Sequence, residues 1–146
     1  MKLTNHFQLS EFVTSQTAER LDLDNTPSPV IIERLKVLCV NILEPARMAL
    51  GPLHISSGYR SLALNTAIGG SKSSAHMQGY AADVIPLKAS KLAFAKWVIA
   101  NCEFDQIILE YGTKEAPAWI HVSNDPRQRN QILQILKGTG YVPVQI

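Results

Sequence analysis

"QIILEYGTKEAPAWIHVS", residues 106–123, holds two apolar runs separated by the polar stretch "GTKEAPA". β-Branched and aromatic residues dominate the runs, while glycine and proline punctuate the middle, the pattern of two strands joined as a hairpin. Side chains alternate across a strand, so Trp119, His121 and Ser123 share one face and Ile120 and Val122 share the other. The apolar face belongs to a core and leaves a histidine on the opposite side. Pairing Gly112 with Trp119 puts Glu110 opposite His121, with Gln106 and Ile108 on the same face as Glu110.

Outward from this hairpin, "AADVIP" (81–86) reads as a strand stopped by Pro86, and "LHISS" (53–57) as a strand running into a turn at Gly58. Ser28 followed by Pro29 predicts an N-cap and first helical residue. Ile31, Leu35, Leu38, Ile42 and Ala46 then form one apolar stripe, with a kink expected at Pro45 and an end near Gly51 and Pro52. Leu92, Ala95, Ile99 and Cys102 mark a helix over 88–101. A short helix is expected near Ser10, with that hydroxyl as its cap. Residues 62–76 read as a small, polar loop around Gly69 and Gly70. Asp125 and Pro126 predict a last helix through residue 137, closed by Gly138. The expected architecture is α+β: one domain over residues 1–146, a small antiparallel sheet with helices packed mainly on one side.

The 146 residues suffice for one real core, and 46% hydrophobic with 18% charged residues is a globular balance. A formal net charge of +2 with no long basic block argues against nucleic-acid binding, though it suits an anionic surface such as a cell wall. No run approaches the ~18 apolar residues of a membrane span, so no membrane insertion is expected. Cys39 and Cys102 fall in helical apolar patterns and read as buried free thiols. With no C-x-x-C, they offer no thiolate zinc site. "MKLTNHFQLSEF" lacks the apolar centre of a secretory signal, so synthesis in a cytoplasm is expected.

A second stretch carries the chemistry. In "SSAHMQGYAADV" (73–84) an aspartate follows a histidine by seven positions, and that aspartate sits on a strand among small and apolar neighbours. A carboxylate there is costly unless it is exposed, paired or bound to a cation. His76, Asp83 and His121 make a set of two imidazoles and one carboxylate, the donor type that holds zinc and keeps a fourth position open. His6 and His54 have no such company.

"SAHMQGYAAD" fits S-x-H-x-x-G-x-A-x-D, and "WIHVS" fits W-x-H-x-S. With "SGYRSLALN", "FQLSEF", "DNTPSP" and "FDQIILEYG" in the same order, the chain resembles the zinc D-alanyl-D-alanine carboxypeptidase superfamily, in particular its phage endolysin-like branch. The Hedgehog signalling domain is similar in fold and metal arrangement. The resemblance implies a zinc metallopeptidase that hydrolyses peptide bonds in peptidoglycan stem peptides or cross-links. Zn²⁺ would be held by His76, Asp83 and His121. Arg60 would receive a substrate carboxylate or carbonyl, Ser74 would support the metal loop, and Gly79 would allow the turn between the first two ligands. Ser74 and Gln106 are further substrate-side candidates.

Many members of the superfamily carry an acidic general base three positions before the last histidine, where this chain has Ala118. Glu110 and Glu115 are the nearby alternatives; Glu110 is favoured because the assumed pairing puts it against His121. Two rival readings follow: a catalytically idle phage structural or wall-binding module, and a zinc-stabilised interaction domain. The expected partner is a peptidoglycan peptide and the expected state a monomer. The site of action would be the bacterial wall, reached through a holin, a tail or lysis.

Overall fold

The computed structural model describes residues Met1–Ile146. Strands β1 (Leu53–Ser57), β2 (Ala81–Pro86), β3 (Gln106–Glu110), β4 (Trp119–Ser123), β5 (Gln131–Ile135) and β6 (Val142–Pro143) form one sheet in the spatial order β1-β2-β4-β3-β5-β6. Every neighbouring pair is antiparallel except β3 and β5, which run parallel. The helices are α1 (Leu9–Val13), α2 (Gln16–Arg20), α3 (Pro29–Leu38), α4 (Glu44–Leu50), α5 (Leu62–Ala67) and α6 (Lys91–Asn101). The fold is α+β, with a mostly antiparallel sheet.

Strand alternation sorts the sheet into two faces. Leu53, Ile55, Ala82, Val84, Ile107, Leu109, Ile120 and Val122 join one buried cluster with Phe12 of α1, Leu35 and Leu38 of α3, Ala46 of α4, and Phe94 and Val98 of α6. Fully burying a side chain of this size contributes about 1.5–3 kcal/mol, so this face and its helical cover hold the fold together. Asp83, Glu110, Trp119, His121 and Ser123 point the other way.

The stripe from Ile31 to Ala46 is buried as expected. Its helix does not break at Pro45. Residues Cys39–Leu43 form a π-helical turn between α3 and α4, in which the Glu44 N–H bonds Cys39 O. Pro45 has no N–H to donate, and the widened turn just ahead of it accommodates that loss. α6 begins three residues later than expected, at Lys91, because Ser90 caps it by accepting from Ala93 N at 3.0 Å. Its most buried residues are Phe94, Ala95 and Val98, with Leu92, Ile99 and Cys102 flanking them. Cys39 is buried; Cys102, at the α6 C-cap, is only half-buried, and both are free thiols.

Four local expectations are corrected. Ser10 lies inside α1 rather than capping it; the helix starts after Gln8, whose N–H bonds the Glu11 carboxylate at 2.7 Å. Residues 62–67, read as loop, form α5, because Ser61 caps it through Leu64 N at 3.2 Å. The helix expected after Pro126 is absent. Asp125 takes the Arg127 N–H at 2.9 Å in a side-chain-closed turn, and Gln128 and Asn130 adopt φ of 45° and 55°. Those left-handed residues stop a helix, and Gln131–Ile135 pairs with β3 instead.

The fourth correction concerns the hairpin. Glu110 pairs with Trp119 and Ile108 with His121, not Gly112 with Trp119. Tyr111 and Gly112 leave the ladder with φ of 59° and 61°, and the Ala118 N–H closes on Glu110 O at 3.0 Å. The slip is two residues, so each side chain keeps its face. Glu110 is diagonal to His121 instead of opposite it.

Candidate metal centre

Asp83 of β2 and His121 of β4 are direct cross-strand partners on the face away from the core. His76 reaches them from a short 3₁₀ turn, Ala75–Gln78, which precedes β2. Ser74 caps this turn by accepting from His76 N at 3.2 Å, so its hydroxyl supports the loop. Gly79 ends it at φ 77°, a left-handed conformation that L side chains rarely adopt, and a Cβ there would press on Ile31 at 3.1 Å.

Gly58 sets the orientation of the His76 ring. Its carbonyl lies 2.7 Å from Nδ1, which donates to it and leaves Nε2 facing Asp83 Oδ1 at 3.3 Å. Gly58 is itself wedged against α1: a Cβ there would lie 2.6 Å from Phe12 O, and the next residue, Tyr59, donates its N–H to that carbonyl at 2.7 Å.

His76 Nε2 and His121 Nδ1 stand 3.3 and 3.2 Å from the same oxygen, Asp83 Oδ1. A charge-assisted hydrogen bond between imidazolium and carboxylate would close to about 2.7–2.9 Å. Donors held about 2.05 Å from a shared tetrahedral ion lie about 3.3 Å apart, which is the spacing found. All three ligand atoms lie within 4.8 Å of one another and all three residues are buried, so the group could hold a metal ion. Burial works against the Asp83 carboxylate, but the two imidazoles outweigh it and hold the pKa far below the ordinary value. The carboxylate is therefore charged and available as a ligand.

Glu110 Oε2 lies 3.8 Å from His121 Nδ1. Burial, then the negative charge of Asp83, raises its pKa, while His121, Trp119 and Arg60 act in the opposite sense. The Trp119 indole N–H is directed at this carboxylate but does not close a full hydrogen bond. Glu115 is exposed at the hairpin tip, remote from the cluster.

Arg60 is half-buried. It donates through NH1 to Asn65 Oδ1 at 3.2 Å, and its buried Nε has no hydrogen-bond partner. Burial lowers its pKa, opposed by Asp83, Glu110 and Tyr141, which places the guanidinium within electrostatic reach of all three. Gln106 lies on the same face but further along, its amide donating to Gln131 Oε1 at 2.7 Å. His6 pairs with Glu44 at 2.7 Å, and His54 is exposed; neither enters the cluster.

Two contributors escaped the sequence reading. Asn65 is buried under Arg60 and bonds Ser71 O at 2.9 Å, tying the arginine to the loop before His76. Its only signal was an asparagine four residues past a helix-capping serine, in a segment read as loop. Tyr141 comes from the far end of the chain, and nothing in its local sequence points toward the site.

No curated protein is similar enough to the chain to count as a match. The family model for peptidase M15 matches residues 5–123, a segment that contains all three candidate ligands, Arg60 and Glu110. With that match across most of its length and a buried His-Asp-His group spaced for a metal, the chain belongs to the peptidase M15 family.

Proposed function

We propose that the protein is a zinc metallopeptidase that hydrolyses peptide bonds in peptidoglycan stem peptides or their cross-links, acting at the bacterial wall in the manner of a phage endolysin. The observation that carries this reading is the shared Asp83 oxygen, 3.2 and 3.3 Å from two imidazole nitrogens, beside a carboxylate and a guanidinium. His76 Nε2, Asp83 Oδ1 and His121 Nδ1 would hold the ion; two nitrogens and one oxygen suit zinc among the first-row metals. Zinc bound there supplies a Lewis acid and brings the pKa of a coordinated water toward ~7.

Glu110 takes the proton from the attacking water and returns it to the leaving amine. Ala118 carries no acid, and the Glu110 carboxylate on the neighbouring strand, 3.8 Å from His121 Nδ1, supports giving it this role. A carboxyl with its pKa raised by burial is a better proton acceptor once ionised than an ordinary exposed one. Arg60 offers an unpartnered buried N–H and a positive charge, and it grips a carboxylate or carbonyl of the peptide. Ser74 shapes the ligand loop, and Gln106 borders the substrate path.

The test is digestion of purified peptidoglycan and defined stem peptides by zinc-loaded protein, with products weighed by mass spectrometry. The expected outcome is hydrolysis at one peptide linkage, lost in His121→Ala together with bound zinc by elemental analysis. Zinc-loaded wild type that leaves every linkage intact overturns the reading in favour of the wall-binding module.

A further inference from the structure

Residues 131–143 lie beyond the segment matched by the family, yet their strands extend the sheet face that carries Asp83 and His121. The registers join side chains into rows. Asp83 is level with His121, His121 with Ile108, Ile108 with Leu133, and Leu133 with Pro143. The next row on this face runs Trp119, Glu110, Ile135. Tyr141 continues it: Val142 pairs with Gln134 in the intervening core-facing row, so the residue before Val142 turns to the site face. The electrostatics agree with that register. Burial raises the Tyr141 pKa, Glu110 and Asp83 add to that, and Arg60 opposes it, so the phenol stands within reach of the cluster's polar groups.

Beyond His121 the sheet therefore presents an apolar floor of Ile108, Leu133 and Pro143. The Gln106–Gln131 amide pair borders one side, and Ile135 and Tyr141 border the other. Ile108 is buried, Leu133 and Ile135 are half-buried, and Pro143 and Tyr141 are exposed, so the floor opens away from the cluster. From β3 to β6 it spans two strand spacings, about 10 Å, the length of roughly three extended residues. That suits one short peptide, and it is far too small for a stable protein interface, which needs about 1,000 Å² or more.

We infer that this platform, supplied by the C-terminal strands, is a substrate subsite that seats a small aliphatic side chain of a peptide on Leu133 and Pro143 while the Tyr141 hydroxyl donates to a neighbouring peptide carbonyl. The inference rests on the peptidase reading for its choice of ligand. The test is calorimetric titration of a synthetic stem tetrapeptide ending in D-alanine into metal-free protein, where nothing is cut. Tyr141→Phe weakens binding about 3- to 10-fold, the loss of one hydrogen bond. Leu133→Asn weakens it about 10-fold by placing a polar group on the floor. Val142→Asn, exposed on the opposite face, leaves it unchanged, and melting temperatures establish that each variant is folded. The inference is overturned if wild type does not bind the peptide, if Tyr141→Phe and Leu133→Asn bind as wild type does, or if Val142→Asn weakens binding equally. Zinc-loaded wild type that binds but never cleaves sinks the peptidase reading alone and leaves the platform standing.

Discussion

The two faces of one sheet do different work with residues that alternate along the same strands. On β4, Ile120 and Val122 are fully buried against helices, while His121 between them reaches Asp83 across the ladder. The core face is apolar and interchangeable in kind; any aliphatic side chain of the right size serves. The polar cluster on the site face is specific in kind: Asp83, His121 and Glu110 offer lone pairs and charge, and none can be exchanged without changing the chemistry. Stability and activity are thus separable by residue parity, and substitutions one position apart should give opposite phenotypes.

The widest separation is expected at Glu110. Glu110→Gln should reduce kcat on a stem peptide by about 10²–10⁴-fold, the usual worth of general acid–base assistance, with zinc content and melting temperature unchanged. Glu115→Gln should have no effect, since that carboxylate is exposed at the loop tip. The opposite pattern would move the base to the hairpin loop and end the division by face.

Ile120→Ala inverts the phenotype. Removing a fully buried side chain between sheet and helices should lower stability by about 2–5 kcal/mol in denaturant titration, while the folded protein keeps its zinc stoichiometry. A loss of metal without a loss of stability would show that the two faces are not independent.

The smallest effect is expected where β3 begins. Asp105 is buried and receives the Arg129 N–H, Nε and NH2 at 2.8, 2.9 and 2.7 Å, a clamp that fixes the turn leading into β5. Burial favours the neutral acid, but the arginine bonds outweigh it and hold the Asp105 pKa below its usual 3.8. A depressed carboxyl stabilises the fold fully above its unfolded pKa and loses that contribution as pH falls through the folded one. Arg129→Ala should therefore cost about 2 kcal/mol at neutral pH, less than a fully buried pair because the guanidinium side chain is 32% exposed. The difference from wild type should shrink below pH ~4. Melting curves at pH 7 and pH 3 check it, and an equal deficit at both would deny the ion pair its role.

The same parity explains what could be read from the chain alone. β2 and β4 were legible because each sets a polar candidate ligand between small or apolar neighbours, a pattern only a two-faced strand makes sensible. "QILQIL" was not legible: its apolar residues fit a helical stripe and a strand equally well. The choice fell to Gln128 and Asn130 in left-handed conformations and to an open edge of β3, which no local pattern reveals. The family motifs carried the cluster itself, since they name residues far apart in the chain. The hairpin register was beyond reach, because it depends on where Tyr111 and Gly112 leave the ladder, but an even slip preserved the face of Glu110.

Gly58 gives the site a reciprocal partner. Its carbonyl orients His76, while its missing side chain lets Phe12 and the end of α1 close over it. A cation that fixed His76 would also favour the docking of the N-terminal segment, and by thermodynamic linkage the reverse would hold. Helix α1 offers none of the candidate ligands, yet its seating against Gly58 would contribute to any metal affinity the cluster has.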